Sequence, residues 1–129
     1  MATQTFQQLI VWQKAQSFVK SVYLSTRTFP DFEKFGLSSQ FQRAAVSIAA
    51  NVAEGYGRLG KNDKLHFLNF AQGSLEECRC YIILSYDLNY IDAPTQESLM
   101  QELQGLSVFL NSYIKGIVNN NAITEEFSK

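Results

Sequence analysis

Apolar residues recur every three or four positions through most of the chain, a spacing typical of amphipathic α-helices. The pattern predicts four helices, over residues 6–28, 39–55, 63–90 and 94–119, followed by a frayed tail over residues 120–129. No segment alternates apolar and polar residues as a half-buried strand does, so no β-sheet is expected. Because the predicted connections are short, we expect a single all-α domain, an antiparallel up-down-up-down four-helix bundle.

The second predicted helix is slim and has clear ends. Its apolar stripe consists of Leu37, Phe41, Ala44, Ala45, Ile48 and Val52. Ser39 and Gln42 fit a capping box, Ser-x-x-Gln, which would begin the helix. Gly55 and Gly57 supply the permissive backbone that ends it. The many alanines between them would let neighbouring helices approach closely.

The first predicted helix leads into an aromatic loop. Its apolar stripe consists of Leu9, Trp12, Ala15, Val19 and Val22, widened by Val11, Phe18 and Tyr23. Pro30 cannot continue this helix and restricts the residue before it. Phe29, Phe32 and Phe35 follow within a few positions, so we expect the loop to fold back over one end of the core.

The third and fourth predicted helices have longer stripes. These are Leu68, Ala71, Leu75, Cys78, Ile82, Ser85 and Leu88 or Asn89 in the third, and Leu99, Leu103, Leu106, Leu110, Tyr113 and Ile117 in the fourth. Asn62 is the candidate N-cap of the third helix, and Asp92 with Pro94 predicts the start of the fourth. A glycine in the middle of a helix often marks close approach by another backbone, which we expect at Gly73.

The second and third predicted helices differ in length. At 1.5 Å per residue they would span about 27 Å and about 40 Å. The aromatic end of the third helix, residues 81–90, therefore needs covering by a loop or by another subunit. We accordingly expect self-association.

Charge is balanced overall and uneven along the chain. The 129 residues hold 11 basic and 12 acidic side chains, giving a net charge of −1 and no general attraction for nucleic acid or anionic lipid. Residues 1–64 carry a net +4, however, and residues 65–129 carry −5. One half could thus attract the other half of a second copy, and a head-to-tail contact that closes makes a ring.

The cysteines and the hydropathy pattern bear on location. Cys78 and Cys80 lie two positions apart on a predicted helix and face different directions, so we expect reduced thiols rather than a disulfide. No apolar run is long enough for a membrane helix, and residues 1–14 lack the features of a signal peptide. The expectation is a soluble, cytoplasmic protein with no membrane contact.

The loop of residues 55–62, GYGRLGKN, resembles two nucleotide-binding patterns in its letters. Both patterns need a preceding β-strand to aim backbone amides at phosphate, and a helix precedes this loop. Asn62 also stands where the phosphate-binding loop requires serine or threonine. We interpret the segment as a glycine-rich turn between helices.

A small basic cluster lies beside that turn. Arg58, Lys61 and Lys64 could contact phosphates, and Tyr56 could stack on a base. Solvated charge at a helix junction is the commoner explanation for three cations. RNA or DNA contact here therefore remains an alternative rather than the leading hypothesis.

The sequence offers little for catalysis or for metals. His66 is the sole histidine and has no cysteine or second histidine at a ligand spacing. No Glu-x-x-His repeat predicts a di-metal site, and no serine, histidine and acid form a recognisable set. We expect no enzyme activity, no cofactor and no metal.

One polar face of the second helix invites a structural interpretation. It is predicted to hold Arg43, Asn51, Glu54 and Arg58, with Glu76 and Glu77 of the third helix as further partners. Glu54 and Arg58 are a favourable i,i+4 pair. Such a network would fix helix register or cross a subunit interface, and a ligand-binding patch is the alternative.

These residues also carry a family resemblance. The segments QxxRAAVSI from Gln40 and NVAEGxGR from Asn51 resemble the signature of bacterial proteins first noted as reading frames in intervening sequences of 23S ribosomal RNA genes. VWxxA from Val11 and FLxxAxGSxxE from Phe67 fit the same family. The resemblance covers about residues 8–115.

The resemblance implies an up-down four-helix bundle that assembles as a ring, typically a homopentamer. The family is also similar to the accessory variability determinant of diversity-generating retroelements, a pentamer that binds reverse transcriptase and nucleic acid. That relative is strongly basic, whereas this chain is not. The family itself implies no settled biochemical activity.

Two hypotheses follow from the sequence. The first is a non-enzymatic, ring-forming interaction or scaffold module, with Arg43, Asn51, Glu54, Arg58, Gly73 and Glu77 as its structural and assembly residues. The second is a nucleic-acid-binding accessory protein that uses the basic cluster repeated around the ring.

Overall fold

The structure, a computed structural model, describes the backbone of residues 5–128 and the side chains of residues 5–119. It contains four α-helices: α1 (Ile10–Thr26), α2 (Leu37–Gly57), α3 (Lys61–Asp87) and α4 (Ala93–Ser128). Short 3-10 turns, Phe6–Gln8 and Asp31–Glu33, precede α1 and α2. The described residues form no strand, so the predicted all-α fold is confirmed.

The helices form an antiparallel four-helix bundle. Each helix packs against its neighbours in the chain, and α1 also packs against α4, so the bundle closes around one core. The predicted stripes of α3 and α4 are buried there, from Leu68 to Ser85 and from Leu99 to Leu110. Hydroxyl and amide contacts between helices, such as Gln72 Nε2 to Asn111 Oδ1 at 2.8 Å, fix their relative register.

The buried face of α1 differs from the prediction. Val11 and Phe18, expected at the margin of the stripe, are buried, whereas Trp12 and Val19 are only half-buried. The helix also begins at Ile10 rather than near residue 6. Spacing alone could not choose between two adjacent apolar rows, and packing against α2 and α4 selected the row centred on Phe18.

The predicted capping box does not begin α2. The helix starts at Leu37, and its N-terminal amide donates to Glu33 Oε1 at 3.0 Å from the preceding turn. Ser39 therefore lies inside the helix, and Gln42 Nε2 instead donates to Thr26 Oγ1 of α1 at 2.9 Å. The Glu33 carboxylate therefore caps α2, which is the role that the sequence pattern predicted for Ser39.

Of the two predicted N-caps, the one for α3 is wrong and the one for α4 is confirmed. Gly60 is the N-cap of α3, which places Asn62 within the first turn and shows its predicted capping role to be wrong. At α4 the prediction is confirmed, because the Thr95 amide donates to Asp92 Oδ1 at 2.9 Å. These hydrogen bonds, from the Thr95 hydroxyl and amide, hold the pKa of Asp92 below its usual value.

The loop before α2 covers Tyr90, just beyond the end of α3, but Tyr86 and Leu88 remain exposed, so the expected cover of residues 81–90 is found only in part. Phe29 is buried against Tyr90, with ring centroids 5.1 Å apart. The Tyr90 hydroxyl donates to Glu33 Oε2 at 2.8 Å. Phe32 and Phe35 do not join this core, however, and remain 74% and 89% exposed.

The end of α4 also differs from the prediction. The backbone continues as a helix to Ser128, beyond the expected end near residue 119. The predicted frayed tail over residues 120–129 lies outside the residues whose side chains are described. In the described part of the chain, none of the helices combines the length and apolar character needed to cross a membrane.

Candidate functional site

The main surface feature is an open groove between α2 and α3. Two recesses join there to form what we call the α2–α3 groove. Its lining residues include Arg43, Ser47 and Asn51 from α2 and Gly73, Ser74 and Glu77 from α3. All six fall within the segments that carry the family resemblance, although the α2 residues lie more than 20 positions before the α3 residues in the sequence.

Hydroxyl groups form the floor of the groove. Ser74 Oγ donates to Ser47 Oγ at 2.8 Å, and this bond joins α3 to α2. Asn51 Nδ2 donates to both Ser47 Oγ at 3.0 Å and the Ser47 carbonyl at 2.9 Å. Because Asn51 and Ser47 are four positions apart, they are neighbours on one face of α2. The two hydrogen bonds fix the orientation of the Asn51 side-chain amide.

The close approach of another backbone that we predicted at Gly73 is not found among the described residues. A Cβ atom built there would meet no atom within 4 Å, so no other backbone of the described chain approaches it. The close approach occurs instead at Gly55, where an added Cβ would lie 3.3 Å from the Lys64 carbonyl oxygen and 3.4 Å from Leu68 Cγ. Gly73 therefore leaves the groove open, and Gly55 lets α2 and α3 converge at their junction.

The rim of the groove carries opposite charges that do not pair. Glu77 Oε2 lies 3.3 Å from the Tyr81 hydroxyl, which is equally close to Gln40 Oε1. Burial, with the Glu77 charge adding to it, raises the pKa of Tyr81. Arg43 lines the same recess, yet it is exposed and makes no ion pair or hydrogen bond with the described residues.

The predicted polar network is therefore only partly formed. Glu54 and Arg58 are paired at 3.1 Å, with both side chains about half exposed. Arg43 and Glu77 are not bonded to them, because three turns of helix separate Arg43 from Glu54. Within one chain, an exposed pair of this kind contributes about 0.3–0.5 kcal/mol.

The basic cluster at the α2–α3 turn is largely engaged in contacts within the chain. Lys64 Nζ donates to the Gly55 and Tyr56 carbonyls at 3.2 and 3.0 Å, so it caps the C-terminal end of α2, where a cation is favoured. The Arg58 guanidinium lies 4.6 Å from the centroid of the Phe67 ring in addition to pairing with Glu54. In the described structure Lys61 alone of the three cations has neither an ion pair nor a hydrogen bond.

Reactive and metal-binding groups are sparse among the residues described. No three His, Cys, Asp or Glu side chains cluster as a metal site would require. Burial, with Glu77 adding to it, raises the pKa of the Cys78 thiol to about 12, so this thiol is a poor nucleophile. His66 stands beside Phe70 on the surface, with ring centroids 4.6 Å apart.

Sequence reasoning missed four residues of the groove. Ser47, Ser74, Gln40 and Tyr81 join α2 to α3 or shape the rim, and none of them was predicted as a site residue. Two signals were available. Ser47 stands four positions before Asn51, and Ser74 falls beside Leu75 on the apolar side of α3, where a serine needs a partner.

Comparison with known proteins agrees with this architecture. The family model described as 23S rRNA-intervening sequence protein matches residues 7–112. A crystal structure from Bacteroides thetaiotaomicron, described as a protein of unknown function from the S23 ribosomal protein family, is similar with a TM-score of 0.74 and 26% identity. The match covers 82% of this chain and 96% of that one.

No curated protein matches the chain. Neither of the two descriptions above names a catalytic activity. The family match covers most of the chain and includes both segments that line the α2–α3 groove. The chain therefore belongs to the 23S rRNA-intervening sequence protein family.

Proposed function

We propose that this chain is a non-enzymatic interaction module that assembles with copies of itself into a closed ring and docks a further partner. The observation that carries the proposal is the α2–α3 groove. It is an open surface of mixed polar and apolar lining, with an arginine and a glycine that have no partner among the described residues. Catalytic sites gather several titratable groups with strongly shifted pKa values in a cleft, whereas among the described lining residues only Tyr81 has a resolved shift, a raised pKa.

The charge distribution supports self-assembly in particular. The basic half of the chain contains α1 and α2, and the acidic half contains nearly all of α3 and all of α4. A contact between unlike halves of two copies is head-to-tail, and each added copy leaves one of each surface free until the ring closes. The family resemblance favours five copies, in a bacterial cytoplasm where Cys78 and Cys80 stay reduced.

The mass of the assembled protein tests this proposal. Light scattering at micromolar concentration should give a multiple of the 14.6 kDa chain mass, and five copies are expected. Raising the salt concentration should weaken the assembly, because salt screens contacts between exposed charges. A protein that stays monomeric in low salt contradicts the proposal.

Nucleic-acid binding is the second candidate function. One observation favours it: Arg58, Lys61 and Lys64 gather at one end of the bundle, and a ring of five would repeat them to about fifteen cations. Lys64 and Arg58 already have partners, however, so each would exchange an existing contact for a phosphate.

Titration of labelled single-stranded RNA at two salt concentrations separates the candidates. An electrostatic interface of this kind predicts an affinity that falls steeply with salt, and the Lys61→Ala variant should bind more weakly. The Lys20→Ala variant, which removes an exposed cation on α1, is the matched control. Absence of binding in low salt leaves the interaction module as the function.

A further inference from the structure

The outer face of α2 is only partly covered within the described chain, where Phe6 of the turn before α1 borders its C-terminal part. It carries Val46, Ala50, Ala53 and Gly57, which recur at helical spacing and point away from the core. Val46 is 42% exposed, although a β-branched apolar side chain in a helix normally faces a core. Arg43 and Arg58 stand at the two ends of this face.

The α2–α3 groove is complementary to that face in shape. Its lining combines the small residues Ala44, Ser47, Gly73 and Ser74, so a helix laid into the groove could approach the floor closely. Phe70, which is 51% exposed, borders the groove at its lower end and offers an apolar surface.

The two surfaces are also complementary in charge. The α3 rim of the groove presents Glu76 and Glu77, and the outer face of α2 is flanked by Arg43 and Arg58. Among the described residues Arg43 has no ion pair or hydrogen bond, and the Glu77 carboxylate accepts a hydrogen bond from the Tyr81 hydroxyl. Arg43 and Glu77 can therefore pair between copies without breaking an ion pair, whereas Glu76 and Arg58 would exchange their exposed pairs with Arg79 and Glu54.

We propose that the outer face of α2 of one copy packs into the α2–α3 groove of the next. This inference rests on the proposed function and identifies the two surfaces that make the ring. The face and the groove lie on adjacent sides of the same helix, so every copy offers one and receives the other. Val46 and Phe70, which are both exposed in the single chain, become covered in this contact.

Crosslinking between differently tagged copies tests the contact. We would co-express an Ala50→Cys chain and a Gly73→Cys chain, both carrying Cys80→Ser to remove the exposed native thiol. A bismaleimide that spans about 8–10 Å, the usual distance between packed helix axes, relaxes the demand on exact register. Because each chain holds only one introduced cysteine, any link between them joins two copies.

The control replaces Gly73→Cys by Gly105→Cys. Gly105 is likewise an exposed helical glycine with no atom within 4 Å of an added Cβ, and it lies on α4, away from the groove. We expect the Ala50→Cys and Gly73→Cys mixture to give at least tenfold more crosslinked dimer than the control mixture. Light scattering on the same samples establishes whether they are assembled.

The outcomes separate this inference from the proposed function. Assembled protein whose crosslinking does not exceed the control overturns the inference, while the ring proposal stands. Efficient crosslinking of the Ala50→Cys chain with itself also overturns it, because that result indicates a symmetric contact of two outer faces. Monomeric protein in every sample defeats both.

Discussion

The Ser74 hydroxyl donates a hydrogen bond of 2.8 Å to the hydroxyl of Ser47, and this single bond joins two helices beneath the α2–α3 groove. Ser74 is buried, so its hydroxyl would be costly to leave without a partner. The bond also joins the segment of the family resemblance that starts at Gln40 on α2 to the one that starts at Phe67 on α3. Their relationship leads to the first prediction.

Replacing Ser74 by alanine should destabilise the bundle by about 1 kcal/mol, the usual net contribution of one hydrogen bond. Ser85→Ala is the matched control, since Ser85 is a fully buried serine on the same helix whose hydroxyl has no partner in the described structure. That control should be neutral or stabilising. Urea unfolding monitored by circular dichroism measures both, and equal effects would contradict the assigned role of Ser74.

Glu33 links stability to pH. The Leu37 amide and the Tyr90 hydroxyl both donate to its carboxylate and hold the pKa of Glu33 below 4.5. Its folded pKa is thus lower than its unfolded pKa, so the stabilisation is complete above the unfolded value and is lost as the pH falls through the folded value. Unfolding midpoints between pH 6 and pH 3 should show this loss.

The Glu33→Gln variant tests that assignment. It should be less stable than the parent at pH 6 and should lose part of the dependence on acid, because it no longer titrates there. The remaining dependence comes from groups such as Asp92, whose pKa is also lowered. Glu97→Gln, at an exposed carboxylate on α4, is the control and should keep the full dependence. A Glu33→Gln profile parallel to that of the parent would refute the role of this loop carboxylate.

The two thiols should react very differently. Cys80 is exposed, whereas burial raises the pKa of the Cys78 thiol to about 12. Native protein at pH 8 should therefore release one equivalent of chromophore from a disulfide reagent, and unfolded protein should release two. The Cys80→Ser variant should lose the fast reaction, and rapid labelling of that variant would show that Cys78 is accessible.

Arg43 should matter for assembly rather than for folding. Since it has no partner among the described residues of its chain, Arg43→Ala should change the stability of the isolated chain by no more than about 0.5 kcal/mol. At an interface, loss of an arginine that pairs with a carboxylate of the neighbouring copy costs about 1–2 kcal/mol, which weakens association by roughly tenfold. Lys20→Ala is the control, and sedimentation over a range of concentrations is the measurement.

Sequence alone determined the architecture of this protein. The periodic stripes of α3 and α4 required a buried face, and four such helices with short connections have few ways to bury it. The capping of α4 by Asp92 was likewise predictable from the sequence, because a capping side chain bonds to an amide only a few residues away. The signature segments that identify the family were likewise visible in the sequence.

The tertiary structure decided which residues meet. Glu33 rather than Ser39 caps α2, and Gly55 rather than Gly73 is the point of close approach. Arg43 has no ion pair or hydrogen bond among the described residues. Each of these three features depends on residues that are distant in sequence or on how closely two packed helices approach each other. Helical periodicity specifies the face on which a side chain lies, and only packing specifies what lies opposite that face.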